Sequence, residues 1–276
     1  MSSTSRLTKN TISASCIQKI RTILQNDNLS ILSKNLMSAR NSHIDNLKEN
    51  QRRNVARANK NKERKAAVLV PICTIDGTPS VLFTKRSVHM PTHPSQISFP
   101  GGYIKSGETP EQAALREMEE ECQGAYPYHD KDSIKILGQT QSLPAMNGTS
   151  VIPVVAILSY DLGPNVEHIF GGYDHEQQDC EVEKVFLRSI QNLRESEKSE
   201  RVSWLSKDFD NQKKSMDISE EIQEEHHNKL FYAPTFPGEE GKIWGLTAFI
   251  LRPILKELLI PTLLKPSIAC EKGSRL

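Results

Sequence analysis

The sequence predicts an α/β (α+β) fold, a mixed β-sheet sandwiched between helices in a single domain. Pro, Gly and Asn separate four apolar runs that are typical of buried strands, at residues 66–73, 80–84, 134–140 and 151–158. A helical pattern at 109–122 lies between the second and the third run, and another spans 245–263, where Pro253 and Pro261 limit or kink it. This order of strands and helices favours a mixed sheet covered by helices.

Composition narrows the class of protein. Of the 276 residues, 37% are hydrophobic and 25% are charged, which is ordinary for a soluble protein. The net charge of +1 gives no argument for nucleic-acid or membrane binding. We expect no membrane span, because charged residues interrupt the apolar stretch at 246–264. The cysteines have no metal-binding spacing, which favours reduced thiols in an intracellular protein.

Three regions differ in composition. Residues 1–64 are predicted to be a basic N-terminal extension, in which Ile17, Ile20 and Leu24 have the spacing of one short amphipathic helix. Residues 65–264 form the predicted catalytic domain, with a charged surface insertion at about 194–229. Residues 265–276 are a C-terminal tail.

A glycine-rich loop leads into a strongly marked helix start. After Gly101-Gly102 the chain reaches Thr109, which suits the N-cap position, and Pro110, which suits the first helical position. Gln112 stands at the third helical position, so that it completes a capping box with Thr109. The sequence therefore predicts a helix that begins at Pro110.

Three carboxylates lie on one face of this helix. Glu117, Glu120 and Glu121 follow i, i+3, i+4 spacing, so their side chains project together. Like charges in this arrangement destabilise a helix, and a divalent cation would neutralise them. Dense carboxylate oxygens suit Mg²⁺ or Mn²⁺. The alternative for such a triplet is an ordinary solvated acidic face.

The stretch from Gly102 to Glu121 resembles the signature of the Nudix hydrolases. That signature is Gly, five residues, Glu, seven residues, Arg-Glu, an apolar residue, any residue, Glu-Glu, any residue and Gly. In this chain its first Gly is Gly102, its first Glu is Glu108 and its Arg is Arg116. One position departs from it: Gln123 replaces the closing Gly, and Gly124 follows. The departure predicts a helix that is one residue longer.

The resemblance implies a Nudix fold and a role for each residue of the signature. Glu117 and Glu121 are expected to be the principal metal ligands, and Glu120 a further ligand or a group that helps to activate water. Arg116 is expected to pair with Glu108 and to hold the loop at Gly102 against the helix. A general base could also come from a later loop.

Glu181 and Glu183 are the candidates for that base. No protein nucleophile is needed, because water can cleave a diphosphate when cations screen its oxygens. In agreement, the sequence contains no nucleophile elbow, no Walker phosphate loop and no dinucleotide-binding glycine pattern.

A second stretch resembles the coenzyme A diphosphatase branch of the Nudix family. Residues 82–87 read Leu-Phe-Thr-Lys-Arg-Ser and residues 99–102 read Phe-Pro-Gly-Gly, which is similar to the motif of that branch. Two positions differ, since Pro91 replaces an Arg of the motif and Ser95 replaces a Gly. The resemblance implies hydrolysis of coenzyme A or a derivative to 3′,5′-ADP and the matching 4′-phosphopantetheine.

Basic groups near the pocket are expected, because coenzyme A carries a 3′-phosphate as well as its diphosphate. Lys85, Arg86 and His93 lie in the right stretch to bind this small-molecule substrate. The alternative for Lys85 is a solvated position on a strand. Two other functions stay open: a Nudix diphosphatase of another nucleotide, such as a dinucleotide or a damaged nucleotide, and a non-catalytic nucleotide-binding Nudix domain.

Two short signals bear on localisation. The chain ends in Ser274-Arg275-Leu276, which resembles a peroxisomal import tripeptide and implies an import receptor as a partner. The first 26 residues contain no Asp or Glu but several basic residues, a composition that suits a mitochondrial transit peptide. The sequence favours the peroxisome, with the mitochondrion as the alternative.

Overall fold

The protein is described by a computed structural model covering residues 8–25, 64–122, 126, 130, 132–145, 149–163, 169–170, 181–202 and 231–264. Its strands are β1 (Thr8–Lys9), β2 (Lys65–Ile75), β3 (Thr78–Arg86), β4 (Ile97–Ser98), β5 (Gly101–Tyr103), β6 (Ile134–Gln139), β7 (Leu143–Pro144), β8 (Ser150–Asp161), β9 (Val182–Ser189), β10 (Lys198–Val202) and β11 (Phe231–Thr235). Its helices are α1 (Ala14–Gln25), α2 (Pro110–Glu121), α3 (Ile190–Ser196), α4 (Gly245–Pro253) and α5 (Ile260–Leu263), and a π-helical stretch at Ile254–Leu259 joins the last two.

The sheet is mixed, as predicted. Within the described residues β1 to β9 form one sheet, whose main path runs β1-β8-β2-β3-β4. The long central strands β2 and β8 pair in parallel, whereas β2 with β3, β3 with β9 and β6 with β8 are antiparallel. The short strand β5 adds to β2, which brings the glycine loop to the middle of the sheet.

Helices cover both faces of the sheet, and each face has its own apolar core. One core joins Val81 and Phe83 of β3 to residues of α1, α3 and α4. The other joins Leu82 of the same strand to Ala113, Ala114 and Met118 of α2. Because neighbouring residues of a strand point to opposite faces, β3 contributes to both cores. The predicted sandwich of helices around a mixed sheet is confirmed.

The N-terminal segment packs on this sheet. β1 pairs with the end of β8, and α1 buries Ile20 and Leu24 in the core that faces α4. The short amphipathic helix predicted from these residues is confirmed. The domain boundary at residues 64 and 65 stays a prediction, although residues 8–25 share a core with the region that follows it.

Several predictions lie outside the described residues. They concern the helix end at Gln123 and Gly124, the part of the charged insertion at 203–229, and the terminal Ser274-Arg275-Leu276. The first residues of that insertion, 194–202, end α3 and form β10, which pairs with β11. None of the described helices is long and apolar enough to cross a membrane.

The turn between β2 and β3 is held by Asp161 at the end of β8. Asp76 and Gly77 have φ of 47° and 76°, the left-handed conformation that a two-residue hairpin turn requires. The Asp161 carboxylate accepts hydrogen bonds from Thr74 Oγ1 at 2.6 Å and from the backbone N–H groups of Asp76 and Gly77 at 2.9 and 2.8 Å. Burial alone would raise the pKa of Asp161, but these bonds bring it below its usual range.

Candidate active site

Local sequence fixes both the start and the orientation of α2. Thr109 Oγ1 accepts a hydrogen bond from Gln112 N at 3.2 Å, and Gln112 Oε1 accepts one from Thr109 N at 2.9 Å, so the predicted capping box is confirmed. Ala113, Ala114 and Met118 are fully buried against the sheet. With that side packed, Glu117 and Glu121 are set at the edge of α2 that meets the glycine loop.

Arg116 ties the loop to the helix. Its Nε and Nη2 donate to the two carboxylate oxygens of Glu108 at 2.7 and 3.1 Å, a bidentate pair. Its Nη1 donates to Glu117 Oε1 at 2.7 Å, and its Nη2 donates to the carbonyl of Tyr103 at 3.1 Å. The hydrogen bonds from Arg116 are the main reason that the pKa of Glu108 falls to about 2. The predicted pairing of Arg116 with Glu108 is therefore present.

Both glycines of the loop are required by close packing. A Cβ on Gly101 would lie 2.5 Å from the carbonyl oxygen of Ala67 and 2.7 Å from Val68 Cα. A Cβ on Gly102 would lie 2.5 Å from the carboxyl carbon of Glu117. The first glycine thus allows the loop to meet β2, and the second allows the Glu117 carboxylate to sit on the loop.

Glu121 lies in a partly buried position between α2, β3 and β5. Burial is the main cause that raises its pKa to about 8, and the charges of Glu117 and Glu181 add to the rise. The Gly101 N–H, 3.4 Å from Oε1, and the Arg86 guanidinium act in the opposite direction without offsetting it. The protein surroundings alone therefore do not stabilise this carboxylate as an anion at neutral pH.

Glu120 differs from its two neighbours. Its side chain is 53% exposed, and it pairs with Arg116 Nη1 at 3.0 Å and with Lys105 Nζ at 3.8 Å. Glu117, by contrast, is 16% exposed and lies on the glycine loop. The structure thus brings Glu117 and Glu121 to the loop and turns Glu120 towards solvent.

Neighbouring basic residues of β3 point to opposite faces of the sheet. Arg86 lies on the face of α2, where its charge acts on Glu121, and no described residue accepts a hydrogen bond from its buried Nε. Lys85 is paired across the strands with Ile97, whose side chain belongs to the core facing α4, and its Nζ lies 2.8 Å from Glu183 Oε1. Of these two cations, Arg86 is the one beside the carboxylates.

The loop between β3 and β4 contains two strained residues. His93 and Ser95 have φ of 55° and 56°, a conformation that favours glycine. Ser95 is the position at which the coenzyme A diphosphatase motif has Gly, so the backbone explains that preference. His93 is exposed in this loop, and its part in substrate binding stays a prediction, as does that of Lys85.

The two candidates for a general base, Glu181 and Glu183, lie in different surroundings. Glu183 forms an ion pair with Lys85, on the face of the sheet away from α2. Glu181 precedes β9, its carbonyl accepts a hydrogen bond from Ser87 N at 2.9 Å, and its charge acts on Glu121. The position of Glu181 beside the carboxylates favours it over Glu183, and the role itself stays a prediction.

Sequence reasoning missed two hydroxyl groups at the site. Thr84 and Ser98 stand directly opposite each other in the β3–β4 pair, and Thr84 Oγ1 lies 3.5 Å from Glu121 Oε2. Thr84 belongs to the stretch at 82–87 that was singled out as a motif. Its contact with Ser98 depends on strand register and its contact with Glu121 depends on how α2 packs on the sheet, and residue spacing alone gives neither.

The fold and the site together define an α+β domain in which a capped carboxylate helix packs against a glycine loop. Residues 63–205 match the model of the NUDIX domain, and the chain belongs to the Nudix family. A relative named Nudix hydrolase 3, from Caenorhabditis elegans, is 32% identical over 204 residues, which is 73% of this chain and 74% of that protein.

Shorter matches cover the catalytic region. A protein of Escherichia fergusonii named uncharacterized Nudix hydrolase NudL is 40% identical over 100 residues, and the match spans 36% of this chain and about half (49%) of that relative. Among solved structures, the Nudix hydrolase RenU from M. smegmatis is 20% identical with a TM-score of 0.35, over 48% of this chain and 74% of that one.

Nudix hydrolases use divalent cations such as Mg²⁺ or Mn²⁺. In the part of the chain that the structure describes, no three His, Cys, Asp or Glu side chains form a ligand set for a metal ion. The donor chemistry of Glu117 and Glu121 nevertheless fits such a cation, since both are hard carboxylate oxygen donors and the charge of Glu117 helps to raise the pKa of Glu121.

Proposed function

We propose that this chain hydrolyses the diphosphate bridge of coenzyme A or a derivative, giving 3′,5′-ADP and the matching (acyl-)4′-phosphopantetheine. The observation that carries the proposal is the meeting of two motifs in space. Arg86 comes from the stretch that resembles coenzyme A diphosphatases, Glu121 comes from the Nudix signature, and the charge of one acts on the other. A substrate phosphate held by Arg86 would therefore lie beside the carboxylates.

The chemistry of Arg86 suits an anionic substrate. A guanidinium stays charged and offers donors in a planar fork that matches phosphate oxygens, and the buried Nε has no acceptor among the described residues. Phosphate oxygens would supply that acceptor. Ser95 also supports the assignment, because it keeps the left-handed backbone at the place where the motif has Gly.

Each residue of the site has its own role in the proposed reaction. Glu117 and Glu121 would hold the divalent cation, which neutralises the attacked phosphate and activates water. Arg116 holds Glu117 on the glycine loop through its 2.7 Å hydrogen bond. Arg86 binds a phosphate oxygen and offsets its charge. Glu181, a carboxylate outside the helix whose charge acts on Glu121, would accept the proton of the attacking water.

A substrate panel tests the proposal. Purified protein is incubated with Mg²⁺ or Mn²⁺ and with free, acylated or oxidised coenzyme A, and the products are separated by chromatography, beside samples that contain a chelator. Cation-dependent release of 3′,5′-ADP is the expected result. Cleavage of dinucleotides or oxidised nucleotides instead would favour another Nudix diphosphatase, and nucleotide binding without any cleavage would favour a non-catalytic domain.

We also propose that the chain is imported into peroxisomes through a receptor for Ser274-Arg275-Leu276. A fluorescent protein fused to the N-terminus is expected to accumulate in peroxisomes and to disperse when these three residues are removed. A reporter fused to the C-terminus leaves the N-terminus free, so its accumulation in mitochondria would favour the alternative.

A further inference from the structure

A pair of hydroxyl groups lies beneath the Glu121 carboxylate. Thr84 is fully buried, although its side chain is polar. Its Oγ1 lies 3.5 Å from Glu121 Oε2 and 3.2 Å from Ser98 Oγ. The second oxygen of Glu121, Oε1, faces the Gly101 N–H at 3.4 Å. Each oxygen of this carboxylate thus faces a neutral donor from the sheet.

The single proton of Thr84 has three acceptors within reach. They are Glu121 Oε2, the carbonyl oxygen of Ser98 at 3.4 Å and Ser98 Oγ at 3.2 Å. Once a bound cation holds Glu121 as an anion, its carboxylate is the strongest acceptor of the three. Ser98 Oγ can in turn donate to Thr84 Oγ1, which leaves the Thr84 proton directed at Glu121.

We propose that Thr84 is a positioning residue for Glu121, and that Ser98 orients the Thr84 hydroxyl. Together with the Gly101 N–H, Thr84 fixes the rotation of the carboxylate that would bind the cation. This inference rests on the proposed function, in which Glu121 holds the cation. Outer groups that orient a metal ligand typically change metal affinity or activity by about 10–100-fold when they are removed.

Three variants separate positioning from packing. Thr84→Val removes the hydroxyl and keeps the branched shape, Thr84→Ser keeps the hydroxyl, and Ser98→Ala removes only the orienting group. Mn²⁺ binding to the protein without substrate is measured by electron paramagnetic resonance, together with the melting temperature. We expect Thr84→Val to weaken Mn²⁺ binding by about 10-fold, Thr84→Ser to restore most of it, and Ser98→Ala to have a smaller effect in the same direction.

Steady-state kinetics add a second readout. With saturating Mn²⁺, Thr84→Val is expected to lower kcat while KM for coenzyme A changes by less than about twofold, because Thr84 acts on the metal ligand. A folded Thr84→Val protein that binds Mn²⁺ like the wild type would overturn the inference, even if its melting temperature falls.

The premise is tested separately from the inference. If Glu121→Gln leaves Mn²⁺ binding unchanged, or if the wild type binds no Mn²⁺, both the metal site and the role of Thr84 are wrong. If the wild type binds Mn²⁺ through Glu121 but does not cleave coenzyme A, the proposed substrate is wrong, and the Mn²⁺ measurements on the Thr84 variants still decide the role of that residue.

Discussion

Glu117 occupies the space into which a side chain at Gly102 would project. A Cβ at Gly102 would lie 2.5 Å from the carboxyl carbon and 2.8 Å from Oε2 of Glu117. The two residues come from different parts of the Nudix signature, one on β5 and the other on α2. Their contact explains why the signature begins with glycine: the loop must leave room for the Glu117 carboxylate.

Gly102→Ala is therefore expected to displace the Glu117 side chain rather than to unfold the protein. The end of a flexible side chain can move, so we expect the melting temperature to change little while Mn²⁺ binding weakens by about 10-fold. Gly101→Ala is the contrasting variant, because its Cβ would meet the backbone of Ala67 and Val68. It should lower the melting temperature strongly. Equal Mn²⁺ binding by Gly102→Ala and wild type would contradict this account.

Glu121→Gln should stabilise the cation-free protein while abolishing its activity. Without a cation, folding must either bury this charge beside Glu117 and Glu181 or bind a proton to it, since burial raises its pKa to about 8, and a neutral amide avoids both costs. We expect a gain in the free energy of unfolding on the order of 1–3 kcal/mol at neutral pH, measured by urea denaturation with a chelator present. A loss of stability would mean that the carboxylate makes compensating contacts.

Asp161 should make the free energy of unfolding depend on pH in the acidic range. Its pKa is lowered in the folded state, so its contribution to stability is complete above the pKa of about 3.9 of an unfolded Asp and is lost as the pH falls through the lower folded value. Asp161→Asn should remove this pH-dependent contribution and lower the free energy of unfolding at pH 7 by about 1–3 kcal/mol. Parallel curves of unfolding free energy against pH for the two proteins below pH 4 would contradict the assignment.

Ser95→Gly tests the strain in the loop between β3 and β4. At a φ of 56°, glycine avoids a steric cost of about 1–2 kcal/mol and adds about 0.4–1 kcal/mol of chain entropy to the unfolded state. The melting temperature should therefore stay equal or rise. Ser95→Val, a branched residue at the same φ, should lower it. A clear loss of stability in Ser95→Gly would show that the serine hydroxyl makes a stabilising contact.

Local sequence signals predicted the parts of the fold that depend on neighbouring residues. The capping box of Thr109 and Gln112 and the burial of Ile20 and Leu24 follow from short-range spacing, and the structure contains both. The pairing of Arg116 with Glu108 was available only through the family signature, which supplies a contact across a loop.

Other parts depend on which strands pair and which face each helix covers. Lys85 and Arg86 are adjacent in sequence, yet only the packing of α2 on one face decides which of them approaches Glu121. The contact between Thr84 and Ser98 needs the register of β3 with β4, and the position of Glu181 needs the pairing of β9 with β3. These are long-range relationships that residue periodicity does not encode.

The most direct test of the carboxylate site compares two charge changes on the same helix. The rate of 3′,5′-ADP release from coenzyme A with Mn²⁺ is measured for the wild type, Glu121→Gln and Glu119→Gln, whose side chain is exposed. We expect Glu119→Gln to keep the wild-type rate within about twofold and Glu121→Gln to lose about 1,000-fold or more, since a metal contributes several kcal/mol to the transition state. Wild-type rates in Glu121→Gln would contradict the assignment of the site.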